Sequence, residues 1–530
     1  MQHTMMDFPL TLTGILQHAS LVHSKAEVVS CLPSRSLHRY TDGDLCARVW
    51  RLASALRQIG LLPGERVATL MWNHYVHLEA YFAIPAMGGV FNTLNLRLHP
   101  EDIAYIANHA GARILIVDDV LLPLYLQFRH LTHFEQVIVV PLNGQKVSSE
   151  FLDYEELLTK NEPTTPITVD ENTPVSICYT SGTTGRPKSV VYSHRALVLH
   201  AFCISLPDVF NFSMSQSVAP VVPMFHVNGW CIPFAALLTG AKLVLPGPHL
   251  DASSLIDLFA REGVTFSAGV PSLWHGLIEL LQCESLRSQL TPELHLVVAG
   301  SACPMSMLRA FDELGIHATH AWGMTEISPV GSFGKLKPSL GPPTMDDVYG
   351  YRLKQGLPLP FVQTRVMTPT GEALWDGMTV GELQVRGPWV AASYYGNEEA
   401  AAWSEDGWLR TGDVVHIDSE GYIKIVDRLK DLIKSGGEWI SSVDLENALM
   451  GHPAVQEAAV IAIHHPKWQE RPPACVKLKA GEFATPETLQ HFLAQRFSRW
   501  WVPDIIELVD EIPKTPTGKF KKEALRKRYA

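Results

Sequence analysis

The sequence lacks the cysteine spacings that are typical of metal-binding or disulfide-rich proteins. Its eight cysteines include no Cys-x-x-Cys pair, and several of them, such as Cys178 and Cys475, lie within apolar runs. Free thiols in a core are therefore predicted, whereas zinc sites and disulfide frameworks are not. No apolar run reaches the ~20 residues that a membrane-spanning helix needs. The N-terminus also lacks a basic segment followed by an apolar signal core, so we expect an intracellular, cytoplasmic protein.

Positive charge is also scarce. The chain has 43 Lys and Arg against 54 Asp and Glu, which gives a formal net charge of −11. This balance argues against a nucleic-acid partner bound by bulk electrostatics. Hydrophobic residues make up 46% and charged residues 18% of the 530 positions, without a repeat or a low-complexity segment. A globular protein of more than one domain is predicted.

Helical and strand patterns alternate over residues 1–170. Apolar residues recur at helical spacing from Thr41 to Leu56, and short apolar strands are predicted at 66–71, 114–117 and 137–140. This alternation is typical of α/β layers with mainly parallel sheets. The part at 331–426 is rich in glycine, proline and short alternating strands, and it predicts an antiparallel β-subdomain.

A compositional change near residue 427 predicts a second domain. The charge cluster at 427–431 is a candidate hinge between an N-terminal domain, 1–427, and a small α+β C-terminal domain, 428–530. In the second domain we predict one helix capped by Ser441 and Ser442. A second helix begins at Thr485-Pro486, with proline at its first position.

The loop at 179–188, YTSGTTGRPK, has the strongest local signal. It follows a predicted buried strand at 174–179 and precedes a helix that Ser193 would cap. Backbone N–H groups, hydroxyls and Lys188 could together bind a polyphosphate. The loop is nearly a P-loop, but Pro187 stands where that motif needs its second glycine, and proline has no N–H to donate. An ordinary surface loop is the alternative.

Three more predicted strands end in small or polar residues, and in open α/β sheets ligands bind at such strand ends. The segments are 220–230 with His226, 296–302 and 321–326. Together they are consistent with one nucleotide site, although each alone is more often packing, and a buried histidine is commonly satisfied by backbone groups. Asp413 in Thr411-Gly412-Asp413 is either a turn former or a ribose ligand.

The ordered motifs YTSGTTGRPK, MFHVNGW, AGSACP, WGMTE, RTGD, DRLKDLIKSGGEWIS and PKTPTGK resemble the acyl-adenylate-forming superfamily, and within it the fatty-acyl-CoA synthetases. The resemblance runs over essentially the whole chain and looks especially close to bacterial long-chain enzymes. It implies a large layered N-terminal domain with a β-subdomain and a mobile C-terminal domain. It also implies ATP-dependent ligation of a carboxylic acid to CoA through an acyl-adenylate, with release of AMP and pyrophosphate.

Medium- to long-chain fatty acids are the favoured substrates, and the alternative is a short or sulfur-containing acid such as 3-methylthiopropionate. ATP and Mg²⁺ are the implied cofactors, and CoA is the co-substrate. A homodimer is implied as well, and contact with a membrane surface stays open. A catalytically silent acyl- or nucleotide-binding protein is the alternative from another class, and the retained charged motif residues argue against it.

The resemblance carries roles onto individual residues of this sequence. Lys519 would bridge the carboxylate and the α-phosphate, which Thr325 would also contact, and Glu326 would bind Mg²⁺ with Thr180 beside it. The implied phosphate-binding residues are Thr180, Ser181, Gly182, Thr183, Thr184, Gly185 and Lys188. The implied adenine and ribose positions are Gly300, Ala302, His320, Ala321, Trp322, Trp439, Asp413 and Arg428.

The acyl group and CoA have their own implied residues. Acyl entry is implied for His226, Val227 and Trp230, with Gly323 as a further substrate position. Trp230 is either a gate of the acyl tunnel or a core aromatic. Lys430 occupies the pivot position, and Gly436 and Gly437 would border the pantetheine channel.

Overall fold

The structure is a computed structural model that describes residues 3–180, 186–340, 344–397, 400–436, 438–515 and 518–529. Within these ranges the strands form five sheets. The alternation of strands and helices predicted for the first 170 residues is confirmed, and so is the mainly parallel pairing. The parallel sheets place the carboxyl ends of neighbouring strands at a common edge.

One large sheet has seven strands, and only its last pair is antiparallel. In spatial order its strands are Leu152–Asp153, Gln136–Val140, Ala112–Asp118, Arg66–Leu70, Val90–Thr93, Pro174–Tyr179 and Ser189–Ser193.

The other large sheet has nine strands and a parallel centre. In spatial order they are Leu357–Pro358, Val330–Phe333, His317–Gly323, His295–Val298, Phe266–Gly269, Ser217–Pro220, Lys242–Leu245, Glu27–Cys31 and Leu37–Thr41.

The β-subdomain predicted for 331–426 is confirmed as a five-stranded antiparallel sheet. Its strands are Gly371–Glu372, Gln363–Thr368, Gly381–Arg386, Leu409–Ile417 and Ile423–Arg428.

Two small sheets follow after Arg428. One contains Glu438–Ile440, Ile433–Ser435, Gln469–Arg471 and Ile463–His465, and the other contains Val455–Val460, Pro473–Leu478 and Ile505–Leu508. Both predicted helices are present, and the residues capping them are Ser441 and Thr485. A further helix, Lys522–Tyr529, was not predicted from the sequence. Lys522 is largely buried and pairs with Glu446 (Nζ–Oε1 2.7 Å).

The helices pack against the sheets, and several of them begin at a side chain that caps them. Thr41 forms a capping box with Asp44, which satisfies two backbone donors at the start of Asp42–Gln58. The remaining helices are Leu12–Val22, Tyr75–Ala86, Pro100–Ala110, Leu122–Phe128, Tyr154–Lys160, His194–Ile204, Ile232–Thr239, Ala252–Glu262, Pro271–Leu281, Glu284–Arg287, Met305–Glu313, Met345–Arg352, Ser442–Met450, Pro486–Ala494 and Lys522–Tyr529.

The core lies between and around the two large sheets. One apolar cluster contains residues from both of them, such as Ile116 and Leu243. The helix Tyr75–Ala86 contributes to this cluster, and it is buried on all sides from Val76 onward because apolar residues surround its axis. All eight cysteines are unpaired and seven of them are buried, which confirms the predicted free core thiols. None of the described helices is long and apolar enough to cross a membrane.

Candidate active site

The loop at 179–188 connects two antiparallel strands. Pro174–Tyr179 is a strand, as predicted, but it pairs with Ser189–Ser193 before the helix begins at His194. The strand Ser189–Ser193 was not predicted, whereas the N-cap at Ser193 was, and its Oγ accepts from Ala196 N at 3.2 Å. The loop is therefore the turn of a β-hairpin, unlike the strand-to-helix turn of a P-loop.

The two ends of this turn bond each other. Thr180 N donates to Lys188 O at 2.8 Å, and Lys188 N donates to Thr180 Oγ1 at 3.2 Å. Residues Ser181, Gly182, Thr183, Thr184 and Gly185 lie outside the described residues. The cations after them lie over aromatic rings, with Arg186 5.0 Å from the Tyr105 centroid and Lys188 Nζ 5.4 Å from the Tyr394 centroid.

The strand His317–Gly323 leads into a tight turn, Thr325–Ile327, that carries Glu326. Tyr192 Oη donates to Thr325 O at 2.7 Å, and Ala391 N donates to Glu326 O at 2.8 Å. The Glu326 side chain is buried, and Oε1 accepts from Tyr394 Oη at 2.5 Å. The carboxylate is therefore held in a fixed direction by groups from the β-subdomain.

Asp413 is buried and shared by two donors. Its carboxylate accepts from Arg428 Nε at 2.6 Å and from Trp322 Nε1 at 2.8 Å. The sequence left Asp413 as either a turn former or a ribose ligand, and the structure places it inside the strand Leu409–Ile417, where it pairs with Arg428 on the next strand. The bond from Trp322 Nε1 to Asp413 joins the β-subdomain to the end of the strand that contains Trp322.

Lys519, near the C-terminal end of the sequence, lies close to Asp413 and Glu326 in the structure. A Cβ added to Gly300 would lie 3.9 Å from Lys519 Cε, and one added to Gly518 would lie 3.1 Å from Ser272 Oγ. Burial lowers the pKa of Lys519 to about 8; repulsion by Arg428 adds to this shift, and attraction by Asp413 and Glu326 opposes it. The strand-end residues of the large domain and the C-terminal lysine therefore form one pocket.

His226 faces the same pocket. Its pKa is lowered to about 3 by burial and then by repulsion from Lys519 and Arg97, so the imidazole is neutral at pH 7. Asn73 fixes the preceding segment, since its side chain bonds Pro220 O at 3.0 Å and Met224 N at 2.7 Å. Within the described part of the chain the His226 imidazole makes no hydrogen bond, so the alternative of a backbone-satisfied histidine is not observed.

The segment after His226 is a single left-handed turn. Five consecutive residues have positive φ, namely Val227 (45°), Asn228 (54°), Gly229 (60°), Trp230 (57°) and Cys231 (60°). Left-handed backbone costs roughly 1–2 kcal/mol for each residue with a side chain. The buried Asn228 holds the turn, because its Oδ1 accepts from Ser176 Oγ at 3.0 Å and from Cys178 Sγ at 3.2 Å. Sequence reasoning missed this turn, in which Trp230 is buried.

Several other expected positions are packed closely into the large domain. His320 Nδ1 contacts Leu353 O at 3.1 Å, and burial lowers its pKa to about 4. A Cβ on Gly323 would lie 1.9 Å from Pro329 O, so no side chain fits there. Ala321 is buried and Ala302 is half-buried, on either side of the strand ends.

The remaining expected positions belong to the C-terminal part. Gly436 has φ of 60°, and a Cβ there would lie 2.6 Å from the Trp500 ring. Trp439 is about half exposed, with Lys434 Nζ 5.6 Å from its centroid. Lys430 is exposed, and its carbonyl accepts from Arg526 at 3.2 Å. Gly437 lies outside the described residues, and the structure presents Lys519, and not Gly436, to the pocket.

Sequence comparison identifies two matching families and several similar proteins. Residues 16–395 match the AMP-binding enzyme family, and residues 444–519 match the AMP-binding enzyme C-terminal domain. A long-chain-fatty-acid–CoA ligase of Thermus thermophilus is 50% identical over 99% of this chain and 97% of its own. A medium-chain-fatty-acid–CoA ligase of Ectopseudomonas oleovorans is 41% identical over 99% of this chain and 97% of its own.

A 3-methylmercaptopropionyl-CoA ligase of Ruegeria lacuscaerulensis is also 41% identical, over 99% of this chain and 98% of its own. Among solved structures, the anthranilate CoA ligase AuaEII in complex with anthranoyl-AMP has a TM-score of 0.86 at 24% identity, with 98% of each chain covered. This likeness shows a shared fold over the whole chain.

Proposed function

The chain belongs to the AMP-binding enzyme family, and from this premise we propose that it is an ATP-dependent fatty-acid–CoA ligase. The reaction converts acid, ATP and CoA into acyl-CoA, AMP and pyrophosphate through an acyl-adenylate. One observation carries the proposal: Lys519 enters the pocket that Gly300, Asp413, Arg428 and Glu326 surround. A lysine at this point supplies positive charge where a carboxylate and a phosphate must approach each other.

In the first half-reaction a carboxylate oxygen attacks the α-phosphorus. The bond between the α-phosphorus and the bridging oxygen breaks, and pyrophosphate leaves with the electron pair. Lys519 would hold the carboxylate against the α-phosphate, and Thr325 would bond the same phosphate. Lys188 and the loop Thr180–Gly185 would hold the β- and γ-phosphates, since catalysis of phosphoryl chemistry is mostly positioning and charge stabilisation.

Mg²⁺ fits the donors beside Glu326. Oε1 is occupied by the Tyr394 hydroxyl, and within the described ranges no protein group donates to Oε2. The Thr180 hydroxyl is the expected second oxygen. The described residues contain no cluster of three or more candidate ligands, which suits an ion that arrives with ATP and keeps several waters. When bound, Mg²⁺ would neutralise phosphate charge, while Glu326 orients it.

The nucleoside has a consistent set of neighbours. Asp413 and Arg428 would bind the ribose hydroxyls, because their side chains meet at the pocket edge. The adenine would lie along Ala321 and Trp322, between Gly300 and Ala302, with His320 behind them. Trp439 would close over the adenine when the C-terminal part moves.

In the second half-reaction the CoA thiolate attacks the acyl carbonyl, and AMP leaves with the electrons of the acyl–oxygen bond. The domain boundary proposed at 427/428 places the pivot Lys430 at the start of the mobile part. Rotation there would withdraw Lys519 and bring Gly436 and Gly437 to the pantetheine channel. Closure in each state excludes water from the adenylate.

The acyl group would enter beside His226 and Val227, with Gly323 at its inner edge. We propose medium- to long-chain fatty acids as substrates, which the similarity to the Thermus thermophilus ligase supports. The ligase of Ruegeria lacuscaerulensis supports a second candidate, a short sulfur-containing acid. Trp230 is the proposed gate of the tunnel. A homodimer is proposed as well, and light scattering that shows only monomer would remove it.

The test is an acid panel from C4 to C18 that includes 3-methylthiopropionate, assayed with ATP, Mg²⁺ and CoA. Release of AMP and pyrophosphate, and not ADP, is expected. Each buried methylene is worth roughly 0.8 kcal/mol, so a long tunnel raises kcat/KM by about fourfold per carbon. A small pocket instead stops abruptly after the shortest acids. If no acid releases pyrophosphate, the enzyme is not a ligase of this class.

A further inference from the structure

The β-subdomain places Tyr394 between the two groups that are expected to handle the phosphates of ATP. Tyr394 is buried, and its hydroxyl donates to Glu326 Oε1 at 2.5 Å. The face of the same ring lies 5.4 Å from Lys188 Nζ. The phenol therefore contacts an anion through its oxygen and a cation through its ring.

Two further groups determine the position of the phenol. The Trp403 ring lies edge-on to it at 5.1 Å between centroids, and Trp403 Nε1 donates to Ala391 O at 2.8 Å. Ala391 N in turn donates to Glu326 O at 2.8 Å. The segment from Ala391 to Tyr394 thus forms hydrogen bonds with both the backbone carbonyl and the carboxylate of Glu326.

We propose that Tyr394 is a positioning residue for adenylation. It holds the Glu326 carboxylate and the Lys188 ammonium at the relative positions that binding of Mg²⁺ and the phosphates of ATP requires. This inference rests on the proposed function, since it assigns Mg²⁺ to Glu326. The hydroxyl engages Oε1, so Oε2 is the oxygen that would hold the metal. The ring limits where Lys188 can lie, because a cation is attracted to the face of the π system.

A hydrogen bond from a neutral donor to a carboxylate is among the stronger side-chain interactions. Its loss lets the carboxylate rotate, and the metal then binds a mobile ligand. The thioester half-reaction needs no pyrophosphate leaving group, so Tyr394 should not affect it.

The experiment compares Tyr394→Phe with Tyr395→Phe, a matched control. Tyr395 is exposed, and its ring meets the edge of His109 at 5.7 Å. Tyr394→Phe keeps the ring over Lys188 and removes only the hydroxyl. We expect the half-saturating Mg²⁺ concentration for pyrophosphate release to rise about tenfold in Tyr394→Phe and to stay unchanged in Tyr395→Phe.

Two further measurements do not depend on turnover of ATP. Calorimetry should show weaker binding of ATP with Mg²⁺ to Tyr394→Phe, but equal binding of metal-free ATP. Thioester formation from supplied acyl-adenylate and CoA should match wild type. Trp403→Phe, a second variant, should move the Mg²⁺ dependence in the same direction by a smaller factor, because it loosens the same segment.

The outcomes separate the two proposals. Wild-type protein that releases no pyrophosphate overturns the ligase function. A wild type that turns over, with Tyr394→Phe equal to Tyr395→Phe in Mg²⁺ dependence, overturns only the role of Tyr394. Equal loss in both half-reactions also overturns it, because that result indicates general damage to the fold.

Discussion

One side of the pocket is built within the large domain, and the other side is supplied by the C-terminal part. On the first side, Glu326 and Asp413 are buried and each accepts bonds from neighbouring elements. On the other side, Lys519 lies on a half-buried loop, and its neighbour Gly518 lies beside Ser272 and Val270 of the large domain. One side is preorganised for charge, and the other is the side that the proposed rotation would withdraw.

The apolar cores follow the same division. Three of the described clusters contain only residues up to Ile425, and two contain only residues from Ile433 onward. No described cluster contains residues from both parts. The contacts that do cross include Ser306 Oγ to Met450 O (3.3 Å) and Ser442 N to Asp427 Oδ2 (2.6 Å). The Ser306 contact is exposed and the Ser442 contact is buried, and the rotation proposed above would break such polar contacts without exposing an apolar core that both parts share.

Replacing Lys519 by alanine should give the largest effect, because it should slow adenylation and leave thioester formation largely unchanged. We expect Lys519→Ala to lose about 10²–10³-fold in ATP–pyrophosphate exchange, because it removes the charge nearest the reacting phosphate. Thioester formation from supplied acyl-adenylate should be largely retained. Lys521→Ala, on the same loop but exposed, is the control. Equal loss of both half-reactions in Lys519→Ala would show that the lysine does not belong to adenylation alone.

The pH dependence of adenylation should show a smaller effect from the same residue. The pKa of Lys519 is lowered from 10.5 to about 8, so the ammonium is lost as the pH rises through that value. We expect kcat/KM for ATP in pyrophosphate exchange to fall about tenfold per pH unit above this pKa.

Lys519→Arg is the control for this profile, since arginine keeps its charge throughout the range. Its activity should stay level where that of wild type falls. A wild-type profile that stays flat to pH 10 would contradict the assignment.

The smallest expected effect concerns the polar contacts between the two parts. Ser442 Oγ donates to Asp427 Oδ1 at 3.0 Å and accepts from Lys522 Nζ at 2.6 Å. Ser442→Ala should weaken the arrangement that presents Lys519 and slow pyrophosphate exchange about 2–10-fold. Thioester formation should not slow. Ser498→Ala, at an exposed position of the C-terminal part, is the control, and an equal slowing of both half-reactions would indicate a purely structural role.

Elements with strong local signals were predicted from the sequence. The helix start near Thr41, the cap at Ser193 and the apolar run at Pro174–Tyr179 depend on neighbours within a few residues, so their signals are complete in the sequence. The helix Lys522–Tyr529 was missed because only Leu525 among its apolar residues is fully buried, and its contacts include ion pairs with residues far away in the sequence.

The candidate site was predicted in part, for a similar reason. The residues of the ordered motifs could be named, and Asp413, Arg428 and Trp322 are indeed in contact. The hairpin at Ser189–Ser193 and the left-handed turn at 227–231 were not predicted, because the strand is only five residues long and positive φ leaves no apolar pattern. Tyr394 and Arg97 were missed, since neither lies in a motif singled out in the sequence.

The sequence by itself determined the chemical groups: a glycine- and hydroxyl-rich loop with Lys188, the acids Glu326 and Asp413, and the late Lys519. Only the tertiary structure decided that these groups share one pocket, that Tyr394 joins Glu326 to Lys188, and that burial lowers the pKa of Lys519. The physical reason is that charge, burial and hydrogen-bond direction depend on residues far apart along the chain, which local patterns do not encode.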